Sequence, residues 1–357
     1  MENLTYLVRW GKNKETAWSG TNYSLYKALS KYYDVNDINL KFPKLLSVFM
    51  HRVLRLDWFA GGFFELQYFR HKHNNLKGKV LQMSGIVDSD ADTQSYIYND
   101  LSVSYVEYMK DHLPEVFAVS DFQHANPALI HKQAEAQSKF YERCTGIFCM
   151  GHWLRNFLVS TGLPKSKVTY IGGGTNVDYS LIRPQNKTNN KILFVGKDFK
   201  RKGGYVSYEA FKLLREQGKD VELYVAGPAS NPIENPVDGY HYMGQVKFEA
   251  VAELFNKCDI FCMPSYFEAY GLVFIEALTF GLPCIGRNCY EMPYFIEEGK
   301  TGLLLKHDDA NELAGLMEEL LSNDSYKQNV KAKHDYYISE YSWDAVARRM
   351  KEAMDKR

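Results

Sequence analysis

Met263-Pro264-Ser265-Tyr266-Phe267-Glu268-Ala269-Tyr270-Gly271-Leu272-Val273-Phe274-Ile275-Glu276-Ala277-Leu278, closed by Gly281-Leu282-Pro283, is the stretch on which the fold turns. The residues leading into it, Asp259 to Met263, are short and apolar, as in a buried strand. A Pro-Ser turn follows, and an apolar helical pattern begins near Gly271. Glu268 therefore stands just before a helix N-terminus, and Glu276 one to two turns inside the helix. The amides of Gly271, Leu272 and Val273 are first-turn donors without intrahelical acceptors, and their partial positive charge suits a phosphate. Glycine at 271 lets a ligand approach the backbone closely. Ionised carboxylates accept hydrogen bonds only, so Glu268 and Glu276 can take hydroxyls on either side of that phosphate. Together these features describe a site for a nucleotide-sugar. The plainer alternative is two solvated glutamates near a helix end.

The same order of strand, loop and helix extends outward in both directions. Upstream, Lys191 to Val195 reads as a strand, and a helix is expected from about Tyr205 to Gln217. Between them lies Gly196-Lys197-Asp198-Phe199-Lys200-Arg201-Lys202-Gly203-Gly204. Cations bunched in a glycine-bounded loop before a helix can hold a pyrophosphate by charge and by helix-end amides together. Val221 to Ala226 is the next strand, ending in Gly227-Pro228, and a helix from about Glu249 to Asn256 follows Gly244-Gln245-Val246. Downstream, Pro283 to Gly286 is a strand, Glu291-Met292-Pro293 begins a short helix, and Gly299 to Leu304 is a turn and strand. Helices at Asn311 to Leu321 and Trp343 to Met354 close the chain, the last started by Ser342.

The first half is read in the same way. Leu4 to Trp10 is a strand, 11–20 a polar loop and Asn22 to Tyr32 a helix; Lys79 to Met83 and Gln94 to Tyr98 are further strands. Tyr96-Ile97-Tyr98-Asn99-Asp100 ends in polar groups, as a strand facing a cleft would. His124 precedes a helix running to about Arg143. The stretch from Gly146 to Ile171 reads as strand, helix and strand, and leads to Gly172-Gly173-Gly174-Thr175-Asn176. These glycines lack dinucleotide-binding spacing. Arg183 to Asn190 is a linker. From Lys41 to His73 basic residues interleave with Leu45, Leu46, Phe49, Leu54, Trp58, Phe59 and Phe63, and Gly61-Gly62 ends the pattern. Such a stretch is either a core helix with snorkelling cations or an amphipathic helix lying in a membrane interface.

At 357 residues the chain calls for two domains of ordinary size. Its 43 basic and 43 acidic residues create no global field for a polyanion, so nucleic acid is not expected as the main ligand. The six cysteines, at 144, 149, 258, 262, 284 and 289, lie mostly in or beside apolar runs without metal-ligand spacing, and read as buried thiols in a reducing cytoplasm. No signal pattern opens the sequence, and no run approaches the roughly 20 apolar residues of a spanning helix. A cytoplasmic protein, peripherally membrane-associated at most, is expected.

Glu268 and Glu276 with Phe267 before and Gly271-Leu272-Val273 between resemble the donor-site signature of retaining GT-B glycosyltransferases, family 4. The resemblance covers the second half well and the first in outline. It implies two doubly wound Rossmann-like α/β domains facing a cleft: 1–187 on the acceptor side, 188–340 binding the nucleotide-sugar, and 341–357 crossing back onto the first. In that family the first glutamate contacts the donor sugar, the second the ribose, and the Gly-Leu-Val amides the phosphate. Those roles fall to Glu268, to Glu276 and to Gly271, Leu272 and Val273. A glycine-bounded pair of cations neutralises the leaving diphosphate there, which picks out Gly196, Lys197 and Lys202, with Arg201 compensating for lysine in place of the usual arginine. Gly227 and Val246 flank the nucleobase. In the first domain Gly20 stands in the loop beside the reacting sugar, and Asp100 takes the place where the family often has a histidine, with His124 as a competing candidate.

The resemblance implies transfer of a sugar from a UDP- or GDP-sugar to a glycan or lipid-linked acceptor. It implies no cofactor, the nucleotide-sugar being a substrate, and no metal, although Asp88-Ser89-Asp90-Ala91-Asp92 imitates the Asp-x-Asp metal motif of the other main glycosyltransferase fold. A nucleotide-sugar epimerase, a phosphorylase or a non-catalytic nucleotide-sugar or glycan-binding protein would use a similar frame.

Overall fold

The computed structural model describes the chain except for residues 12, 16, 19, 50–51, 53–63, 66, 70, 74–75, 84–92 and 184–189. Residues 50–51, 53–63, 66 and 70 of the 41–73 segment, Gly61-Gly62 among them, the acidic run at 88–92 and most of the linker at 183–190 thus lie outside the described residues. The chain forms two compact units, residues 1–176 with 342–357, and residues 177–341.

The first unit holds a parallel sheet of β1 (Glu2–Val8), β2 (Tyr33–Asn39), β3 (Gly78–Met83), β4 (Thr93–Asn99), β5 (Gly146–Cys149) and β6 (Val168–Tyr170), in the order β2-β1-β3-β4-β5-β6. Its helices are α1 (Thr21–Leu29), α2 (Lys44–Val48), α3 (Val103–His112), α4 (Pro114–Phe117), α5 (Pro127–Arg143) and α6 (His152–Ser160). The second unit holds β7 (Lys191–Val195), β8 (Glu222–Ala226), β9 (Tyr240–Gly244), β10 (Ile260–Cys262), β11 (Cys284–Arg287) and β12 (Gly302–Leu305), in the order β12-β11-β10-β7-β8-β9. Around it lie α7 (Gly204–Glu216), α8 (Phe248–Lys257), α9 (Leu272–Thr279), α10 (Met292–Phe295), α11 (Ala310–Ser322), α12 (Ser325–Ala332) and α13 (His334–Glu340). The last helix, α14 (Trp343–Asp355), belongs to the first unit and packs on α1.

Both sheets are parallel, and their central strands are continuous apolar runs because helices cover both faces. Ile192, Leu193, Phe194, Ile260, Phe261 and Cys262 are fully buried. The sequence reading passes over β2 and β9, and both are edge strands. β2 reads Tyr-Asp-Val-Asn-Asp-Ile-Asn with one residue buried, and β9 has none. An edge strand needs no unbroken apolar run, so it leaves a weak signal. The reading also omits α3, α4, α12 and α13.

The glycines at 172–174 make room for α14. A Cβ on Gly174 would come within 2.5 Å of the Trp343 ring, and one on Gly172 within 2.9 Å of the Arg349 guanidinium. Arg349 donates from Nε to the Ile171 carbonyl at 2.6 Å, and Trp343 from Nε1 to Asn176 Oδ1 at 2.9 Å. Five of the six cysteines are buried, Cys289 is half-buried, and all are free thiols. Among the described residues no helix is long and apolar enough to cross a membrane, and no cluster of His, Cys, Asp and Glu could hold a metal ion.

Candidate active site

In the second unit the sheet order reverses between β7 and β10. In open α/β sheets ligands bind outside the carboxyl ends of the strands at such a reversal. The loops after β7 and β10 carry the cation cluster and Glu268, so the topology brings together two stretches that are far apart in sequence.

Close backbone contact joins these loops. Gly203, left-handed at φ 76°, opens α7, and a Cβ there would meet the Pro264 carbonyl oxygen at 2.3 Å. Gly204 accommodates the Phe199 ring, which a Cβ would meet at 2.3 Å. Gly227, left-handed at φ 117° after β8, lies against Gly196, whose carbonyl oxygen would be 2.7 Å from a Cβ. Gly196 donates its amide to the Ala226 carbonyl at 2.9 Å, and Gly227 donates to the Gly244 carbonyl at 2.8 Å. The glycines at 196, 203 and 227 thus let three strand ends converge without side chains between them. Val246, half-buried, lies in the loop between β9 and α8.

The charges are arranged in layers. Lys202, its stem lying over Gly196, forms an ion pair with Glu268; both side chains are largely enclosed, at 14% and 12% exposure. Lys197 is exposed, and no partner accepts from its ammonium among the described residues. Arg201 is occupied by the loop beside it. Its Nη1 donates to the Phe267 carbonyl at 2.9 Å, its Nε lies 3.5 Å from an Asp198 carboxylate oxygen, and its own carbonyl accepts from the Tyr266 amide at 2.9 Å. Arg201 therefore holds the backbone immediately before Glu268.

Gly271 is left-handed at φ 96° and caps α9 without a side-chain hydrogen bond. A Cβ there would lie 3.1 Å from Glu268 Cγ, so the glycine lets the carboxylate-bearing stem fold over the helix end. Leu272 and Val273, the first helical residues, are half-buried. Glu276 is half-buried too, and its carboxyl has no hydrogen-bond or ion-pair partner among the described residues. Desolvation alone pushes it up from the ordinary 4.5 to about 7.

Sequence reasoning missed Ser265 and Arg287. The Ser265 hydroxyl is buried without a hydrogen-bond partner among the described residues, a demand that a bound water or ligand would meet. Arg287, at the end of β11, stacks 4.2 Å from the Tyr266 ring centroid. It donates from Nε to the Pro264 carbonyl at 3.2 Å and from Nη2 to Asp308 Oδ1 at 2.8 Å, while the Tyr266 hydroxyl donates to Asp308 Oδ2 at 2.7 Å. Arg201 and Arg287 thus hold the two ends of the 264–267 loop. No local pattern could signal this, because the partners of Arg287 lie 21 to 23 residues away.

Gly20 and Asp100 lie in the first unit. Gly20, left-handed at φ 85°, caps α1, and a Cβ there would come within 2.8 Å of the Asn176 amide nitrogen. Asp100 follows β4 and is half-buried, next to Asn99, which donates to the Tyr141 hydroxyl at 2.8 Å. His124 is exposed, two residues before the Asn126 cap of α5.

Residues 180–336 match the family model described as glycosyl transferases group 1. A phosphatidyl-myo-inositol mannosyltransferase of Mycobacterium leprae is 27% identical over 193 residues, covering 51% of this chain and 52% of that protein. The capsular polysaccharide biosynthesis glycosyltransferase CapM of Staphylococcus aureus is 25% identical over 230 residues, covering 57% and 60%. The chain thus spans about half the length of these curated relatives. A sucrose-phosphate synthase from Thermosynechococcus elongatus superposes with a TM-score of 0.67 at 16% identity, covering 100% of this chain and 99% of that one. That likeness shows the fold, two Rossmann-like units of the GT-B kind.

Proposed function

We propose that this chain, whose residues 180–336 match the family model described as glycosyl transferases group 1, is a retaining, metal-independent enzyme of family 4. It moves a sugar from a UDP- or GDP-linked donor to an acceptor hydroxyl, in the synthesis of a cell-surface glycan or polysaccharide. The observation that carries this reading is the enclosed Lys202–Glu268 pair beside the left-handed Gly271, with Glu276 desolvated and unpartnered a little way along α9. A carboxyl held up to about 7 without a partner is a cost to the empty protein, and ribose hydroxyls would offset it.

In this reading the donor's diphosphate lies over the start of α9 and draws Lys202 away from Glu268. The freed carboxylate then accepts from a sugar hydroxyl. The bond from the anomeric carbon to the phosphate oxygen breaks with its electron pair leaving on oxygen, where Lys197, Lys202 and the amides of Gly271, Leu272 and Val273 stabilise the growing charge. The acceptor oxygen bonds to the anomeric carbon on the same face and passes its proton to the departing phosphate. Arg201 supports the cation cluster by holding the loop before Glu268. Gly196, Gly227 and Val246 shape the nucleotide end. We place the enzyme in the cytoplasm. Leu45 (86% exposed), Leu46, Val48 and Phe49 lie among Lys41 and Lys44, an arrangement that suits peripheral contact with a membrane and a lipid-linked acceptor.

A thermal-shift panel of UDP, GDP, ADP and their sugars, with and without divalent metal, tests this reading on wild type and Glu276→Ala. The expected result is a metal-independent shift with one nucleotide that the variant loses. No shift with any nucleotide overturns the reading.

A further inference from the structure

Between β11 and α10 the chain reverses through Arg287-Asn288-Cys289-Tyr290-Glu291. Asn288 donates its amide to the Leu305 carbonyl at 2.9 Å and Cys289 to the Arg287 carbonyl at 2.7 Å, so the turn is anchored at its start. Tyr290 then adopts φ 53°, in the left-handed region. A bulky side chain rarely occupies that region, and glycine would make the same turn without steric cost. Glycines make the left-handed turns at 203, 227 and 271 around this site. Residues held in such conformations cluster at ligand clamps and active sites.

What tyrosine supplies in exchange is its ring. It meets the Phe267 ring edge to face, with centroids 5.3 Å apart and an angle of 85°. Phe267 is buried, at 3% exposure, and directly precedes Glu268; Tyr290 is only half-buried. The turn also runs beside the loop that carries the carboxylate, because the neighbouring Cys289 thiol donates to the Ser265 carbonyl at 3.9 Å. An apolar ring next to a carboxylate is the combination that recognises a pyranose, whose C–H face packs on an aromatic surface while its hydroxyls donate to oxygen.

We propose that Tyr290, backed by Phe267, is a specificity-determining residue that forms the wall against which the donor's sugar is selected. The inference rests on the glycosyltransferase reading and extends it from the nucleotide to the sugar.

The experiment compares wild type, Tyr290→Gly and Tyr290→Phe in titrations with UDP, UDP-glucose, GDP and GDP-mannose, alongside melting curves. Tyr290→Gly relieves the backbone and melts at or above the wild-type temperature. It keeps affinity for the free nucleoside diphosphate within about twofold, and loses about tenfold for the matching nucleotide-sugar. Tyr290→Phe retains the wild-type preference. A glycine variant that prefers the sugar-bearing nucleotide as strongly as wild type overturns the proposal, as does one that loses both ligands equally. If wild type binds no nucleotide at all, the glycosyltransferase reading itself fails, an outcome distinguishable from the other two.

Discussion

Gly20 and Gly271 perform the same backbone task in the two units. Each is left-handed, at φ 85° and 96°, and each starts a helix without a side-chain cap. Their surroundings differ in kind. Beside Gly20 the groups are neutral and engaged with one another: Asn176 Oδ1 accepts from Ser24 Oγ at 2.7 Å and from Trp343 Nε1 at 2.9 Å, which ties α1 to the start of α14. Beside Gly271 they are charged, with Glu268 paired to Lys202 and Glu276 desolvated on the same helix. A left-handed glycine at a helix start is thus only a geometric opening. A neutral network makes it a lock, and charges on exchangeable partners make it, in the function proposed above, a place for an anion and hydroxyls.

The largest effect should come from breaking the lock. Trp343→Ala removes a large ring at 8% exposure that packs on Gly174, and should cost about 3–5 kcal/mol of stability. Denaturant melts read that cost, and titration at a temperature where the variant stays folded should find nucleotide affinity unchanged. A parallel collapse of affinity would mean that the two glycine sites are not independent in role.

Next comes Lys202→Ala, which removes one preorganised cation and leaves Glu268 without its partner. Turnover should fall on the order of a hundredfold or more, read as initial rates of sugar transfer, in a variant that still folds. Unchanged turnover would remove the distinction between the charged site and the neutral one.

The effect of comparable size at Glu276 is also the most diagnostic. In the folded chain Glu276 holds its proton to about pH 7, against an ordinary 4.5. Between those values the folded state binds the additional proton, so stability falls as pH rises, by up to about 3 kcal/mol at about 1.36 kcal/mol per unit. Glu276→Gln lacks this slope. It should match wild type near pH 4.5, exceed it in melting temperature above pH 7, and bind the nucleotide-sugar about tenfold more weakly at pH 8. Parallel stability curves for the two proteins would show that Glu276 is not desolvated, and that the second unit holds no cost for a ligand to relieve.

Much of this was legible in the chain itself. The apolar runs of β7, β8, β10 and β11, the glycines that bound the cation loop, and the helix that begins at Gly271 are local signals read over a few residues. The half-exposed edge strands β2 and β9 were not legible, because no unbroken apolar pattern marks them. Arg201 was legible as a cation but not in its use. It reads as one more charge for a phosphate, yet the fold spends its guanidinium on the Phe267 carbonyl and Asp198. Tyr290 looks unremarkable in sequence, and only its left-handed backbone singles it out.

Sequence alone therefore determined the α/β class, the family resemblance and the identities of Glu268, Glu276 and Lys202, because strand patterns, helix starts and carboxylate spacing are short-range properties. Tertiary structure decided that Lys202 meets Glu268 across 66 residues, that Glu276 is partly desolvated with no partner among the described residues, and that two arginines hold the loop between them. Those outcomes depend on β7 lying next to β10 in a sheet whose order reverses there, and on how closely glycine lets the loops beyond those strands approach.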